Sequence, residues 1–356
     1  LFVSGGNMAN IIGFLAARAA AGESWGVRAA GIGADDASRL RVYASAETHT
    51  WIQKAADLSG LGTDAIRWIE TGADQRIDVE ALRAAIAADR ATGDVPMLVA
   101  GTAGSVSTGA VDPLFAMADV CREAGVWFHV DGAYGALAAM LPDAPHDLKA
   151  LHLADSVAVD PHKWLYAPLE AGCLLARDAA CLRRAFSYHP AYYHFDDGDG
   201  VNYVDIGPQN SRGFRALKVW LALQQAGAEG YRQMIGDDCA LAARLFAAAD
   251  AHPDLDACSS SLSISTFRYV PPNLRESAGT PDTEAYLNTL NESLLERLQV
   301  SGEAFVSNAV VRGRYLLRAC IVNFHTTEAD VDALPEIVVR IGRDLHAAGR
   351  DRMTSR

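Results

Sequence analysis

Two short apolar runs constrain this chain more than any other feature. Trp127-Phe-His-Val-Asp-Gly-Ala-Tyr134 is hydrophobic up to a carboxylate followed by small residues. Ser156-Val-Ala-Val159 runs into Asp160-Pro161, and then His162, Lys163 and Trp164 follow. A proline at the end of an apolar run closes a strand. The two runs start about thirty residues apart, which suits a strand, a crossover and a second, parallel strand. Open α/β sheets bind their ligands at the carboxyl ends of such strands. The pair therefore predicts a parallel α/β sheet that delivers Asp131 and Lys163 to one end of itself.

A lysine on an apolar floor has its ammonium form disfavoured, so its amine is available as a Schiff-base nucleophile. Taken alone, Lys163 is more simply a surface residue at a strand-to-loop turn. A carboxylate at the end of a buried strand needs a partner. The pyridinium nitrogen of pyridoxal phosphate is one such partner, and capping of the next helix is the competing use of Asp131. The two segments in this order are more specific than either alone.

Composition narrows the classes. With 356 residues, half of them hydrophobic and 21% charged, the chain can bury a large core and form more than one domain. A net charge of −13 argues against nucleic acid or an anionic membrane as partner. The six cysteines form no CxxC and no His/Cys cluster, so neither a metal site nor a disulfide framework is expected and a reducing cytoplasm fits. No apolar run has transmembrane length and no signal peptide is visible.

The remaining elements follow in chain order. Gly5, Gly6 and Asn7 make a turn into an alanine-rich helix over residues 10–21, whose free N–H groups form an anion site. The turn is not GxGxxG, which disfavours a dinucleotide. Strands are expected at 40–45, 66–70, 97–100 and 172–177, and helices at 54–60 and 79–92. Asp112-Pro113 starts a helix as N-cap and N1 proline. Residues 188–210 are polar, aperiodic and too long for a passive connection. Helices at 214–227 and 230–251 lead to strands at 263–269, 304–311 and 315–322, with helices at 282–299 and 328–348. Arg318 lies on an otherwise apolar strand and needs an anion, in a salt bridge or a ligand.

Five stretches in this order resemble the group II pyridoxal-phosphate decarboxylases, the family of aromatic-L-amino-acid, glutamate and histidine decarboxylases. They are Ser4-Gly-Gly-Asn-Met-Ala-Asn10, Ala46-Glu-Thr-His49, Gly101-Thr-Ala-Gly-Ser105, His129-Val-Asp-Gly-Ala-Tyr134 and Asp160-Pro-His-Lys-Trp164. The likeness is close over residues 1 to 230 and looser beyond. It implies a fold-type I (aspartate aminotransferase-like) α/β enzyme: a mostly parallel seven-stranded sheet in a large domain, 1–230, and a small α+β domain, 231–356. The implied cofactor is pyridoxal 5'-phosphate. Lys163 would hold it as a Schiff base, Asp131 its ring nitrogen, and His49 would stack on the ring. Gly6 and Asn7 would cradle its phosphate, with Ser105, Ala133 and His162 as further contacts. Several relatives carry threonine where this chain has Val106.

The resemblance also places the catalytic tyrosine at Tyr203, with Tyr192 and Tyr193 as rivals on the same loop. That loop would reach the neighbouring subunit of a homodimer whose active site lies at the interface. There the phenol protonates the carbanionic carbon after carbon dioxide leaves. Arg318 and Trp164 would meet the substrate. The implied reaction converts an L-amino acid, aromatic by preference, to its amine. The alternatives are an aldehyde synthase, whose plant-type members commonly carry phenylalanine at the loop position, and a glutamate-like decarboxylase. An aminotransferase, a cysteine desulfurase and a non-catalytic cofactor-binding protein are more remote. Family members carry a helical segment ahead of Ser4 that exchanges between subunits, so this sequence reads as amino-terminally incomplete.

Overall fold

The computed structural model describes residues 1–32, 39–192 and 200–354. It divides into two compact units, Leu1–Ser105 with Ala110–Ala228, and Val106–Gly109 with Glu229–Arg356.

The first unit is built on seven strands: β1 (Phe2–Val3), β2 (Leu40–Ser45), β3 (Ile66–Ile69), β4 (Val95–Thr102), β5 (Trp127–Asp131), β6 (Ser156–Val159) and β7 (Gly172–Ala176). Their order is β1-β7-β6-β5-β4-β2-β3. The five strands from β6 to β3 run parallel, and β7 is antiparallel to both β6 and β1. The expected sheet is thus present, with a mixed edge. Its central strands read as continuous apolar runs because both faces are covered, so alternation disappears: every residue of β6 and all of β4 from Met97 on are buried. The helices α1 (Gly6–Ala21), α2 (Val27–Ala30), α3 (Trp51–Leu58), α4 (Val79–Ala91) and α5 (Leu114–Ala124) fall in the connections. Phe14, Leu40, Val42, Trp51, Ile52 and Leu98 form one core cluster.

Register does the functional work. Thr102 stands opposite Asp131, and Asp131 opposite Ala158, so three neighbouring strands end level. Two residues beyond Ala158 the chain turns at Asp160 into the short helix α6 (Pro161–Trp164), with Pro161 in its first turn.

The expected cap at Asp112 is not formed. Helix α5 starts at Leu114, with Pro113 at its N-cap and no side-chain cap. The Asp112 carboxylate instead accepts the N–H groups of Ile77 (2.9 Å) and Thr102 (2.8 Å). Both donors are shut off from water, so they gain more from the carboxylate than a solvated helix end would. Burial pushes this carboxyl up to about 6.

Helix α1 is fastened to the sheet through a fully buried histidine. His129 Nε2 lies 2.8 Å from Asn10 Oδ1 on α1, and Nδ1 lies 2.7 Å from Ser156 Oγ on β6. Trp127 Nε1 donates to the same serine oxygen at 2.9 Å. That leaves the serine hydroxyl to donate to Nδ1 and the Nε2–H to donate to Asn10. Burial lowers His129 to about 4 from an ordinary value of 6.5. The unfolded chain therefore binds a proton first, and stability present above pH 6.5 is lost as pH falls towards 4, by about 3 kcal/mol at one proton and 1.36 kcal/mol per unit. Asp112 acts with the opposite sign below pH 6, because the fold favours its acid form. The expected result is that His129→Gln flattens the fall between pH 6.5 and 4 in urea unfolding. An identical slope in wild type and variant would contradict it.

The second unit has an antiparallel sheet ordered β10-β11-β9-β8. Its strands are β8 (Leu255–Ser261), β9 (Ile264–Tyr269), β10 (Ser307–Val311) and β11 (Arg314–Cys320). Helices α9 (Pro281–Ser301) and α10 (Glu328–Thr354) pack on it through Leu294, Leu298 and Val338 against Phe267 and Leu317. The two helices expected at 214–227 and 230–251 are both present within Arg215–Ala251 (α8), separated at Gly227, whose φ of 64° is not helical. Helix α7 (Ala179–Phe186) precedes it in the first unit. Strand β8 was not expected. Asp256-Ala-Cys-Ser-Ser-Ser261 is poor in β-formers, and Ser259 finds its partner across the sheet, Oγ to Thr266 Oγ1 at 2.7 Å.

Candidate active site

Lys163, Asp131 and Ser105 lie where β4, β5 and β6 end. Lys163 Nζ lies 3.2 Å from Asp160 Oδ2. The carboxylate is 3% exposed and the lysine side chain 43%, so the amine stands at the mouth of a buried acid. Burial raises the Asp160 carboxyl, Asp131 adds to this, and Lys163 and His162 oppose it. His162 Nδ1 accepts the N–H of Ala171 at 3.0 Å, which leaves Nε2 to face Asp160 Oδ2 at 3.7 Å. The Asp160 N–H donates to the Ala133 carbonyl at 3.2 Å, tying the end of β6 to the turn after β5.

The start of α1 presses on this group. A Cβ on Gly6 would stand 2.6 Å from Asp160 Oδ2 and 2.9 Å from Ala133 Cβ, and one on Gly5 would stand 3.4 Å from His162 Cε1. Gly5 is extended, and no side chain caps the helix. Asn7 follows on the exposed side of the first turn. This uncapped end of a long helix is an anion site in physical terms. Two buried atoms nearby, Asp160 Oδ1 and Thr102 Oγ1, have no hydrogen-bond partner among the described residues.

Asp131 is buried, and its Oδ1 accepts the Ala133 N–H at 3.1 Å, leaving the rest of the carboxylate for another partner. It does not cap a helix. His49 follows β2 on a turn, and its Nδ1 accepts the Trp51 N–H at 3.3 Å. Partial desolvation lowers its pKa, Asp131 raises it and Lys163 lowers it again, so the three side chains share one electrostatic environment. Ser105 is buried after β4, where its N–H donates to the Ala110 carbonyl at 2.8 Å.

Other expected residues lie elsewhere. Trp164 is 0% exposed and stacks on Tyr134, with ring centroids 4.8 Å apart and planes 17° apart. This indole, expected to meet the substrate, is instead buried against Tyr134. Tyr203 begins a short turn, Tyr203–Ile206, and is 62% exposed. No hydrogen bond, ion pair or ring contact among the described residues joins it to Lys163, Asp131 or His49. Tyr192 is also exposed, and Tyr193 lies outside the described residues. Arg318 belongs to the second unit, on β11, where Nη1 donates to Ser307 Oγ at 3.1 Å and the buried Nε has no hydrogen-bond partner among the described residues. Sequence reasoning gave Asp160 no role of its own. The signal was present in the string, an acid three residues before the lysine at a strand end.

Comparison with known proteins gives one consistent result. A family profile described as the pyridoxal-dependent decarboxylase conserved domain matches residues 1–269. An aromatic-L-amino-acid decarboxylase of Bacillus atrophaeus is 34% identical over 335 residues, covering 93% of this chain and 66% of that protein. A phenylacetaldehyde synthase of a Rosa hybrid cultivar is 33% identical over 303 residues, covering 83% and 59%. The chain thus spans about two thirds or less of the curated relatives it matches. The crystal structure of Oryza sativa TDC with PLP and tryptamine superposes with a TM-score of 0.89 at 30% identity, covering 97% of this chain and 70% of that one.

Proposed function

The chain belongs to the pyridoxal-dependent decarboxylase family, and from that premise we propose that it decarboxylates an aromatic L-amino acid to the amine and carbon dioxide, using pyridoxal phosphate. The observation that carries this is the convergence of Lys163, buried Asp160, buried Asp131 and the uncapped start of α1 at the level ends of three parallel strands. These residues fit the cofactor. The helix start, cleared by Gly5 and Gly6, suits its phosphate, and Asp131 has carboxylate capacity to spare for its ring nitrogen. Buried Asp160 Oδ1 and Thr102 Oγ1 are left for polar partners from outside the chain.

Bound pyridoxal phosphate supplies the electron sink that breaking a bond at Cα requires. The chain's own groups do the rest. Lys163 anchors through its amine. Asp131 holds a proton on the ring nitrogen by its negative charge. His49, whose pKa is lowered by partial desolvation and by Lys163 against the pull of Asp131, would stack on the ring. Tyr203 delivers a proton to Cα from a neighbouring subunit, so the working unit is a homodimer. We place the enzyme in the cytoplasm, consistent with six cysteines that form no disulfide and with no helix among the described residues long and apolar enough to cross a membrane.

The aromatic preference follows the Bacillus relative. Of the two arginines near the catalytic stretches, Arg215 is paired with Glu170, and Arg212 donates to the Tyr203 carbonyl at 2.7 Å. Of the two, only Arg215 is neutralised by a carboxylate among the described residues, so the preference for an aromatic over a glutamate-like substrate rests on the relatives. The rose synthase keeps the aldehyde outcome as the second reading. The test is product analysis by mass spectrometry with pyridoxal phosphate and a panel of L-amino acids. An amine from tryptophan, tyrosine or dihydroxyphenylalanine is expected. Aldehyde with peroxide would select the synthase, and no product from any amino acid would overturn the proposal.

The helix start gives a separate prediction. Gly6→Ala puts a methyl group 2.6 Å from Asp160 Oδ2, and overpacking of this kind costs about 1–3 kcal/mol. Fold stability, read by urea unfolding, should fall by that amount, and cofactor affinity, read by absorbance titration, should fall because the added methyl group and the displaced carboxyl crowd the helix start. Unchanged affinity would remove the helix start from the phosphate site.

A further inference from the structure

We infer that Asp160 binds the cofactor's phosphate in its acid form, as a hydrogen-bond donor, so that cofactor binding takes up a proton at this side chain. The inference rests on the pyridoxal phosphate proposal above.

Three observations carry it. The Asp160 carboxyl lies against the start of the 16-residue helix α1, with Oδ2 2.6 Å from where a Gly6 Cβ would stand and Oδ1 4.0 Å from where a Gly5 Cβ would stand. It is 2% exposed, and Oδ1 has no hydrogen-bond partner among the described residues. Its close cation is Lys163, at 3.2 Å, the same amine that the proposed function assigns to the cofactor.

An ionised carboxylate only accepts hydrogen bonds. Beside a helix start that receives a phosphate, it would face an anion with its own negative charge, in a site too dry to screen either. The protonated carboxyl has an O–H to give, and a phosphate oxygen is the acceptor. The surrounding charges favour this change. From α6, Lys163 and His162 hold Asp160 ionised, and Asp131 on β5 opposes them. The first turn of α1 carries no acidic side chain. When Lys163 turns to the cofactor, Asp160 loses the cation that does most to keep it charged. Burial already raises this carboxyl, in the direction that taking up a proton requires.

Calorimetric titration of the apoprotein with pyridoxal phosphate, at several pH values and in two buffers of different ionisation enthalpy, counts the protons. Wild type should take up as much as one proton more than Asp160→Asn, which presents a permanent N–H donor. Its affinity relative to the variant should fall by as much as tenfold per pH unit on the alkaline side. Pyridoxal, which lacks the phosphate, should bind the two proteins with the same proton count. Equal proton uptake with pyridoxal phosphate would overturn the inference. An equal excess with pyridoxal would also overturn it, by assigning the proton to the encounter with Lys163 instead of the phosphate. If Asp160→Asn fails to fold, wild type alone decides, since its affinity should fall more steeply with pH for pyridoxal phosphate than for pyridoxal. Failure of wild type to bind pyridoxal phosphate at any pH would sink the cofactor proposal itself, an outcome distinct from binding without the extra proton.

Discussion

Lys163→Ala should lower decarboxylation by on the order of 10⁴-fold or more, the scale on which loss of an activated nucleophile is felt. The fold should survive, since the lysine side chain is 43% exposed and lies on a four-residue helix at the rim of the sheet. The substitution leaves Asp160 buried without its cation, and the acid is expected to take up a proton instead of remaining a lone charge. Circular dichroism should be unchanged while product formation disappears. A variant that kept more than about a hundredth of wild-type turnover would remove Lys163 from the chemistry.

The second large effect is expected at Tyr203. Removing a general acid costs about 10²–10⁴-fold in the step it serves. Tyr203→Phe should slow amine formation by that factor and divert flux to aldehyde, ammonia and hydrogen peroxide, with dioxygen consumed as oxidant. The phenol is exposed, so little stability is at stake. An unchanged amine yield would assign proton delivery elsewhere, with Tyr192 the first rival to test. Because Tyr203 makes no contact with Lys163 among the described residues, delivery from a second subunit has its own test. Mixing Lys163→Ala with Tyr203→Phe subunits should restore activity through hybrid dimers, and mixtures as inactive as their components would argue against action in trans.

The parts of the fold that sequence revealed are those whose cause is local. Strands β4, β5 and β6 announced themselves because burial on both faces makes them unbroken apolar runs, and the proline after Asp160 marked where β6 stops. Lys163 and Asp131 were legible for the same reason, as polar residues attached to strand ends. What stayed hidden depends on partners distant in sequence. Asp112 looked like a cap because Asp-Pro is a good local cap, yet Ile77, 35 residues away, and Thr102 supply better donors. Helix α1 is tied to the sheet by His129 across 119 residues, a link no pattern encodes. Strand β8 is held by pairing with β9 against its own propensity. Trp164, beside the lysine, looked available to a substrate, but Tyr134 covers it. The position of Asp160 under the start of α1 emerges only when Gly5 and Gly6 are brought to the end of β6.

The most direct test of the whole proposal is chemical. The protein is saturated with pyridoxal phosphate, reduced with borohydride and digested, and the peptide carrying the pyridoxyl group is sequenced by mass spectrometry. A single adduct on Lys163, lost in Lys163→Ala, is the expected result. An adduct on any other lysine, or none at all, would contradict it.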